Sequence, residues 1–186
     1  SILSSKDLCL IKEIPEIIEM GIDSLKIEGR LKTEYYLASV INTYRAAIDD
    51  YLKNPNKYDY KKYLKELEKT KTRGLTTFYF NDRANKDFQE YEGKQYNLEY
   101  EFGGKVLEYS EDKSLIEIRN KLKVGDTLEI LIPGSIDNYA FKINMLWDSE
   151  TNEEIDCVNP GKQGQTVKMH LPIRCEKNWI IRRKKA

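Results

Sequence analysis

Ser24-Leu25-Lys26-Ile27-Glu28-Gly29-Arg30 is the stretch on which the fold of this chain turns. Successive side chains of a strand point to opposite faces, so Leu25 and Ile27 share one side and Lys26 and Glu28 the other. A strand over residues 24–28 that packs its apolar side on helices turns an ammonium and a carboxylate inward together. Gly29 ends that strand and Arg30 opens the next loop. Charged groups at the C-terminal end of a parallel strand are where barrel and doubly wound enzymes hold ligands. Lys26, Glu28 and Arg30 are therefore candidate pocket residues. A solvated edge strand with an incidental ion pair fits the same pattern equally well.

Upstream, Pro15 suits the first turn of a helix running to Met20, and Gly21 is its stop. Asp7 is placed to cap a turn starting at Leu8. Downstream, Thr33 and Glu34 begin a long helix through Leu52. Its apolar positions, Leu37, Val40, Ile41, Tyr44, Ile48, Tyr51 and Leu52, have the three- and four-residue spacing of one buried face. Asn54-Pro55-Asn56 ends it. Helix, strand, helix is one unit of a βα repeat, and one unit cannot close a barrel. Its apolar surface has to pack on residues 60–95, on the second half of the chain or on a second copy. A shorter helix over residues 60–68 carries Tyr63, Leu64 and Leu67 on one side. Residues 70–95 form a connector, where Thr70-Lys71-Thr72-Arg73-Gly74 suits a solvated linker better than a phosphate contact.

The second half changes period. Short strands are expected at 98–109, 115–119, 127–132, 139–147, 154–158, 166–171 and 179–182, separated by turns such as Val124-Gly125-Asp126 and Asn159-Pro160-Gly161. So many strands without a helix imply a small closed barrel or sandwich. Val167, Met169 and Leu171 face its core, while Lys168 and His170 face solvent. Gly103-Gly104 marks a bulge or a close backbone approach. The fold class is thus α+β: a helical N-terminal segment followed by a small all-β barrel.

Charge excludes some functions. With 31 basic and 31 acidic residues, no global field recruits nucleic acid or an anionic membrane. No apolar run reaches the roughly 18–20 residues of a membrane span. Cys9, Cys157 and Cys175 form no close pair, which favours reduced thiols and a cytoplasmic location. The spacing that marks zinc sites is absent, and a solvent-facing His170 is no general base. Local phosphate contacts are expected from Arg119 and Lys121 in a turn and from Arg182 and Arg183 in the C-terminal run, weak and salt-sensitive. Thirteen tyrosines against five phenylalanines predict half-buried rings with wet hydroxyls. The start at Ser1, with neither leader nor initiator methionine, is expected to be a cut through a longer chain.

Ser5-Lys6-Asp7-Leu8-Cys9, the run from Gly21 to Arg30, Tyr44-Arg45, Arg73-Gly74-Leu75-Thr76-Thr77, Phe102-Gly103-Gly104-Lys105-Val106 and Arg119-Asn120-Lys121 together resemble peptidase family U32, the collagenase-like proteases. The resemblance spans essentially the whole chain. It implies that residues 1–58 end a (β/α)8-type catalytic domain, that 59–95 are a helix and connector, and that 96–186 are the family's C-terminal β-barrel. It further implies a parent related to bacterial proteins that hydroxylate the wobble uridine of tRNA, with prephenate as oxygen source and an iron–sulfur cluster held by cysteines. On that basis this portion carries no cofactor and no nucleophile of its own, Cys9 being the one candidate metal ligand. Its barrel is expected to dock tRNA, or alternatively an extended polypeptide, or to serve as a structural or dimerising module. Two departures stand out: relatives usually have asparagine at the position of Ser4 and histidine near Thr72.

Overall fold

A computed structural model describes residues 5–70, 72, 74–80, 88, 99–161 and 164–185. Ser4, Lys71, Arg73 and Leu98, which entered the sequence argument, lie outside the described residues. The chain divides into two compact units, residues 1–98 and 99–186.

The first unit opens with β1 (Asp7–Leu8), followed by helices α1 (Ile14–Glu19), α2 (Glu34–Lys53) and α3 (Tyr60–Leu67), and by β2 (Leu75–Thr76). Asp7 does not cap a turn. It pairs in parallel with Leu75, and the neighbouring amides of Lys6 and Cys9 donate to Phe88 and Thr76. Backbone partners from 68 residues downstream therefore outcompete the local turn. Pro15 sits in the first turn of α1, and Gly21, at φ +74°, ends it as expected. Thr33 caps α2 by accepting the Tyr36 amide at 3.2 Å.

The long helix differs from expectation in carrying two apolar faces. Tyr35, Val40, Ala46, Ala47 and Tyr51 are buried, with Ser39 and Thr43 among them, and α3 packs on this helix. Ile41 and Leu52 instead stay more than half exposed. They line a groove of about 520 Å³ with Ile18, Ile22, Leu25 and Ile27. Tyr79 and Tyr139 are exposed, but four tyrosine hydroxyls of the first unit are bonded to protein groups. Tyr35 donates to Lys69 O, Tyr51 to Glu19, Tyr58 to Ile11 O and Tyr63 to Asp50, at 2.5–2.7 Å. Rings that close over a small core thus have their polar tips satisfied by backbone and carboxylates.

Residues 24–28 form no strand, which corrects the central expectation. A strand exists only by pairing, and among the described residues β1 pairs with β2 alone in this unit. The alternation nevertheless survives. Leu25 and Ile27 line the groove, and Lys26, Glu28 and Arg30 are exposed.

The second unit contains β3 (Tyr100–Glu108), β4 (Ser114–Ile118), β5 (Leu122–Lys123), β6 (Thr127–Ile130), β7 (Tyr139–Lys142), β8 (Leu146–Asp148), β9 (Glu154–Ile155), β10 (Cys157–Val158), β11 (Thr166–Met169) and β12 (Ile180–Lys184). Eight of these make one curled antiparallel sheet in the order β7-β6-β12-β3-β4-β11-β8-β9, and β5 pairs with β10. The sheet is a half-barrel. Among the described residues β7 and β9 each have a single neighbour, so the expected closure does not occur. Val106, Ile116, Leu128, Ile130, Val167 and Ile181 are fully buried in its concave core. Val167, Met169 and Leu171 are inside and His170 is outside, as the alternation required.

Gly103-Gly104 does both things the sequence allowed. On β12, Ile181 faces Gly104 and Arg182 faces Phe102, so Gly103 is the extra residue of a bulge. A Cβ on Gly104 would stand 2.5 Å from the carbonyl oxygen of Glu117.

Candidate functional site

The three pocket candidates of the first unit sit in one exposed loop. Glu28 accepts the Arg30 amide at 2.9 Å, a local turn contact that fixes the carboxylate beside the loop backbone. The neighbouring Lys32 ammonium is held by Asp7 at 3.0 Å and lies 4.4 Å from the centre of the Tyr36 ring. Lys26 and Arg30 are solvent-exposed cations. Apart from Asp7, which is held by Lys32, contacts among the described residues bring no further carboxylate and no nucleophile to this loop.

Cys9 is buried, and the Tyr44 hydroxyl donates to its sulfur at 3.8 Å while accepting the Leu10 amide at 2.8 Å. Burial is the largest influence on this thiol and raises its pKa, as it does for Cys175, pushed up to about 11. Among the described residues no three His, Cys, Asp or Glu side chains stand together as metal ligands. Cys9 is one thiol where an iron–sulfur cluster takes several, and among the described residues it stands in no such group. Cys157, by contrast, is exposed. Native protein treated with a thiol-alkylating reagent is expected to label at Cys157 well before Cys9 or Cys175, with all three labelled only in denaturant. Peptide mapping by mass spectrometry checks this, and early labelling of Cys9 would contradict its burial.

Two of the basic residues expected to meet phosphate are committed inside the second unit. Arg182 has no exposed side-chain surface. Its Nε and Nη2 donate to Glu129 at 3.0 and 2.5 Å, and its guanidinium lies 4.9 Å from the centre of the Tyr100 ring. Arg183 pairs with Glu101 and, at 3.1 Å, with Asp126. The run Arg182-Arg183-Lys184-Lys185 is thus not a solvated tail, because its first three residues belong to β12 in mid-sheet. Arg119 is partly covered, 3.2 Å from Glu117 and over the Phe102 ring. Lys121 alone of the four is exposed.

Sequence reasoning missed a second groove, of about 340 Å³, where Phe141, Lys142, Asn144, Met145, Trp147 and His170 converge. Its walls come from strands far apart in the sheet order, which no local pattern reports. The Lys113 ammonium stands 4.3 Å from the centre of the Trp147 ring.

Residues 1–90 match the model of peptidase family U32, and residues 98–182 match that of the peptidase family U32 C-terminal domain. The chain is 40% identical over 154 residues to tRNA hydroxylation protein P1 of Bacillus subtilis, covering 81% of this chain and 36% of that protein. It is 33% identical over 182 residues to tRNA hydroxylation protein P of Escherichia coli, covering 97% of this chain and 39% of that protein. The chain thus spans under two-fifths of the length of these curated relatives. A crystal structure of the C-terminal domain of a Geobacillus thermoleovorans protein described as a U32 peptidase aligns with 46% of this chain and 93% of its own, at 28% identity and a TM-score of 0.40.

Proposed function

Because the chain belongs to peptidase family U32 and is related to tRNA hydroxylation proteins, we propose that it is the C-terminal portion of a parent that takes part in hydroxylating tRNA uridine in the cytoplasm. The observation that carries this reading is the match to tRNA hydroxylation protein P over 97% of the chain. Residues 1–58 are proposed to end the parent's (β/α)8-type catalytic domain, 59–95 to be its helix and connector, and 96–186 to be the accessory β-barrel. The open groove along α2 supports this division. It leaves Ile41 and Leu52 bare, and burying such side chains is worth about 1.5–3 kcal/mol each. Further β/α units packed there would turn residues 24–28 into a true strand and Lys26, Glu28 and Arg30 toward the parent's pocket. Any iron–sulfur cluster of the parent draws most of its thiolates from elsewhere in that domain, with Cys9 the one candidate in this portion, which is not itself catalytic. The barrel docks substrate tRNA, with Lys121 on phosphate and Arg119 beside it.

A second reading has its own observation. β7 is a sheet edge with Tyr139, Ala140 and Lys142 exposed, a template on which an extended polypeptide adds as a strand in a genuine protease. The same edge serves a structural or homodimerising module.

Deleting the intact parent gene and quantifying hydroxylated wobble uridines in total tRNA by mass spectrometry separates these readings. Loss of the nucleoside, restored by the full-length gene and not by residues 1–186, is the expected result. An unchanged nucleoside profile would overturn the tRNA reading in favour of the peptidase.

A further inference from the structure

We propose that the open seam of the half-barrel holds an unpaired nucleobase of an RNA strand, stacked in the groove of Phe141 and Trp147. The inference rests on the tRNA reading above and names the place where the barrel would meet its substrate.

The groove lies where, among the described residues, the sheet stays open. β7 is one end of the eight-strand order, and β8 stands next to the other end. Residues 143–145 carry the chain across between them, so side chains from both ends face one cavity. At about 340 Å³ it is at the small end of ligand pockets, which run about 300–1,000 Å³. A single nucleoside suits it better than a folded surface does.

Its chemistry favours a base and a phosphate. Phe141 and Trp147 offer ring surface, and base–aromatic stacking is how single strands are held without a duplex. Asn144 and His170 put an amide and an imidazole at the same cavity, the groups that read a base edge. No carboxylate lines it. Lys142 is at its wall, Lys113 sits over Trp147, and Lys168 is the register partner of Trp147 on β11. Glu154, opposite Trp147 on β9, is the one carboxylate across the ladder, and Lys168 spends a hydrogen bond on Asn152 at 2.7 Å. With Asp148, next to Trp147, also facing the Lys168 charge, three ammonium groups stand against two carboxylates and leave a small positive excess in a chain of zero net charge. That complementarity selects a phosphodiester over a neutral or acidic polypeptide.

The test uses the whole 186-residue chain and a fluorescein-labelled single-stranded RNA of about eight nucleotides, read by anisotropy at about 50 mM salt. Wild-type protein is expected to bind in the micromolar range, with Trp147→Ala weakening it about tenfold and Trp147→Phe restoring most of the loss. Lys142→Glu is expected to weaken binding and lower the salt slope by about one, the mark of a lost phosphate contact. Circular dichroism and urea midpoints of all variants establish that the fold is kept. If Trp147→Ala binds like wild type while Lys121→Glu does not, the groove assignment falls and the tRNA reading stands. Absence of RNA binding at low salt overturns the groove and removes the barrel's role in the tRNA reading together. If an extended peptide shifts the amide resonances of β7 and the RNA leaves them unmoved, the groove belongs to polypeptide and the proposal is wrong.

Discussion

Replacing Glu129 with alanine is expected to cost about 3–5 kcal/mol of unfolding free energy, the toll of removing one partner from a buried ion pair. The carboxylate is the counter-ion of a guanidinium with no exposed side-chain surface, held at 2.5 and 3.0 Å. It also accepts the Tyr100 hydroxyl at 3.1 Å. Burial, followed by the nearby Glu129 charge, pushes the Tyr100 phenol up to about 12, so it stays protonated and donating at neutral pH. Alanine removes the carboxylate that the Arg182 guanidinium and the Tyr100 hydroxyl share. The double variant Arg182→Met, Glu129→Leu should recover most of the loss, because well-packed apolar pairs replace buried ion pairs at little or no cost. Urea unfolding followed by circular dichroism measures both. A loss below about 1 kcal/mol for Glu129→Ala, the range of exposed pairs, would mean that water reaches the guanidinium.

Gly104→Val is expected to destabilise the second unit by about 3 kcal/mol, the upper part of the usual range for overpacking. Its Cβ alone would stand 2.5 Å from Glu117 O and 3.0 Å from Ile116 Cγ2. The first neighbour is backbone, and Gly104 faces Ile118 on one side and Ile181 on the other. Neither β4 nor β12 can yield without giving up rungs of the ladder. Gly161→Ala is the control: nothing lies within 4 Å of its Cβ, and the change should stay within about 0.5 kcal/mol. Equal midpoints for the two variants would show that the sheet shifts freely around Gly104.

What the sequence reveals and what it hides follow from how local each signal is. Thr33 and the spacing beyond it define α2, since a helix hydrogen-bonds within itself. The alternation of Val167, Met169 and Leu171 fixes the inner face of β11 for the same reason. Residues 24–28 carry an equally clear alternation and form no strand, because a strand needs partners that the described residues do not supply. The strand expected at 179–182 takes in Arg182 and not Arg183, and neither guanidinium shows a partner in one dimension. Only the bulge at Gly103 and the carboxylates of Glu101, Asp126 and Glu129, all more than 50 positions away, reveal both as held within the sheet. Among the candidate site residues, the exposure of Lys121 was readable and the convergence of Phe141, Trp147 and His170 was not. Those three come from β7, from β8 and from the residue after β11, and meet through the curl of the sheet.

The parallel pairing of β1 with β2 sets an order of events during synthesis. The amides of Asp7 and Cys9 leave the ribosome well before their acceptors at Gly74 and Thr76, and that of Lys6 well before its acceptor at Phe88. Helices α1 to α3 can wind and collide in the meantime, since their contacts are near in sequence. The opening segment must wait with its amides in water, and loop closure over so many residues is slow. The first unit therefore completes only after translation has passed Phe88, when the start of the second is already being made. A pause before that point would hold the apolar surface of α1 and α2 open to chaperones rather than to its own chain.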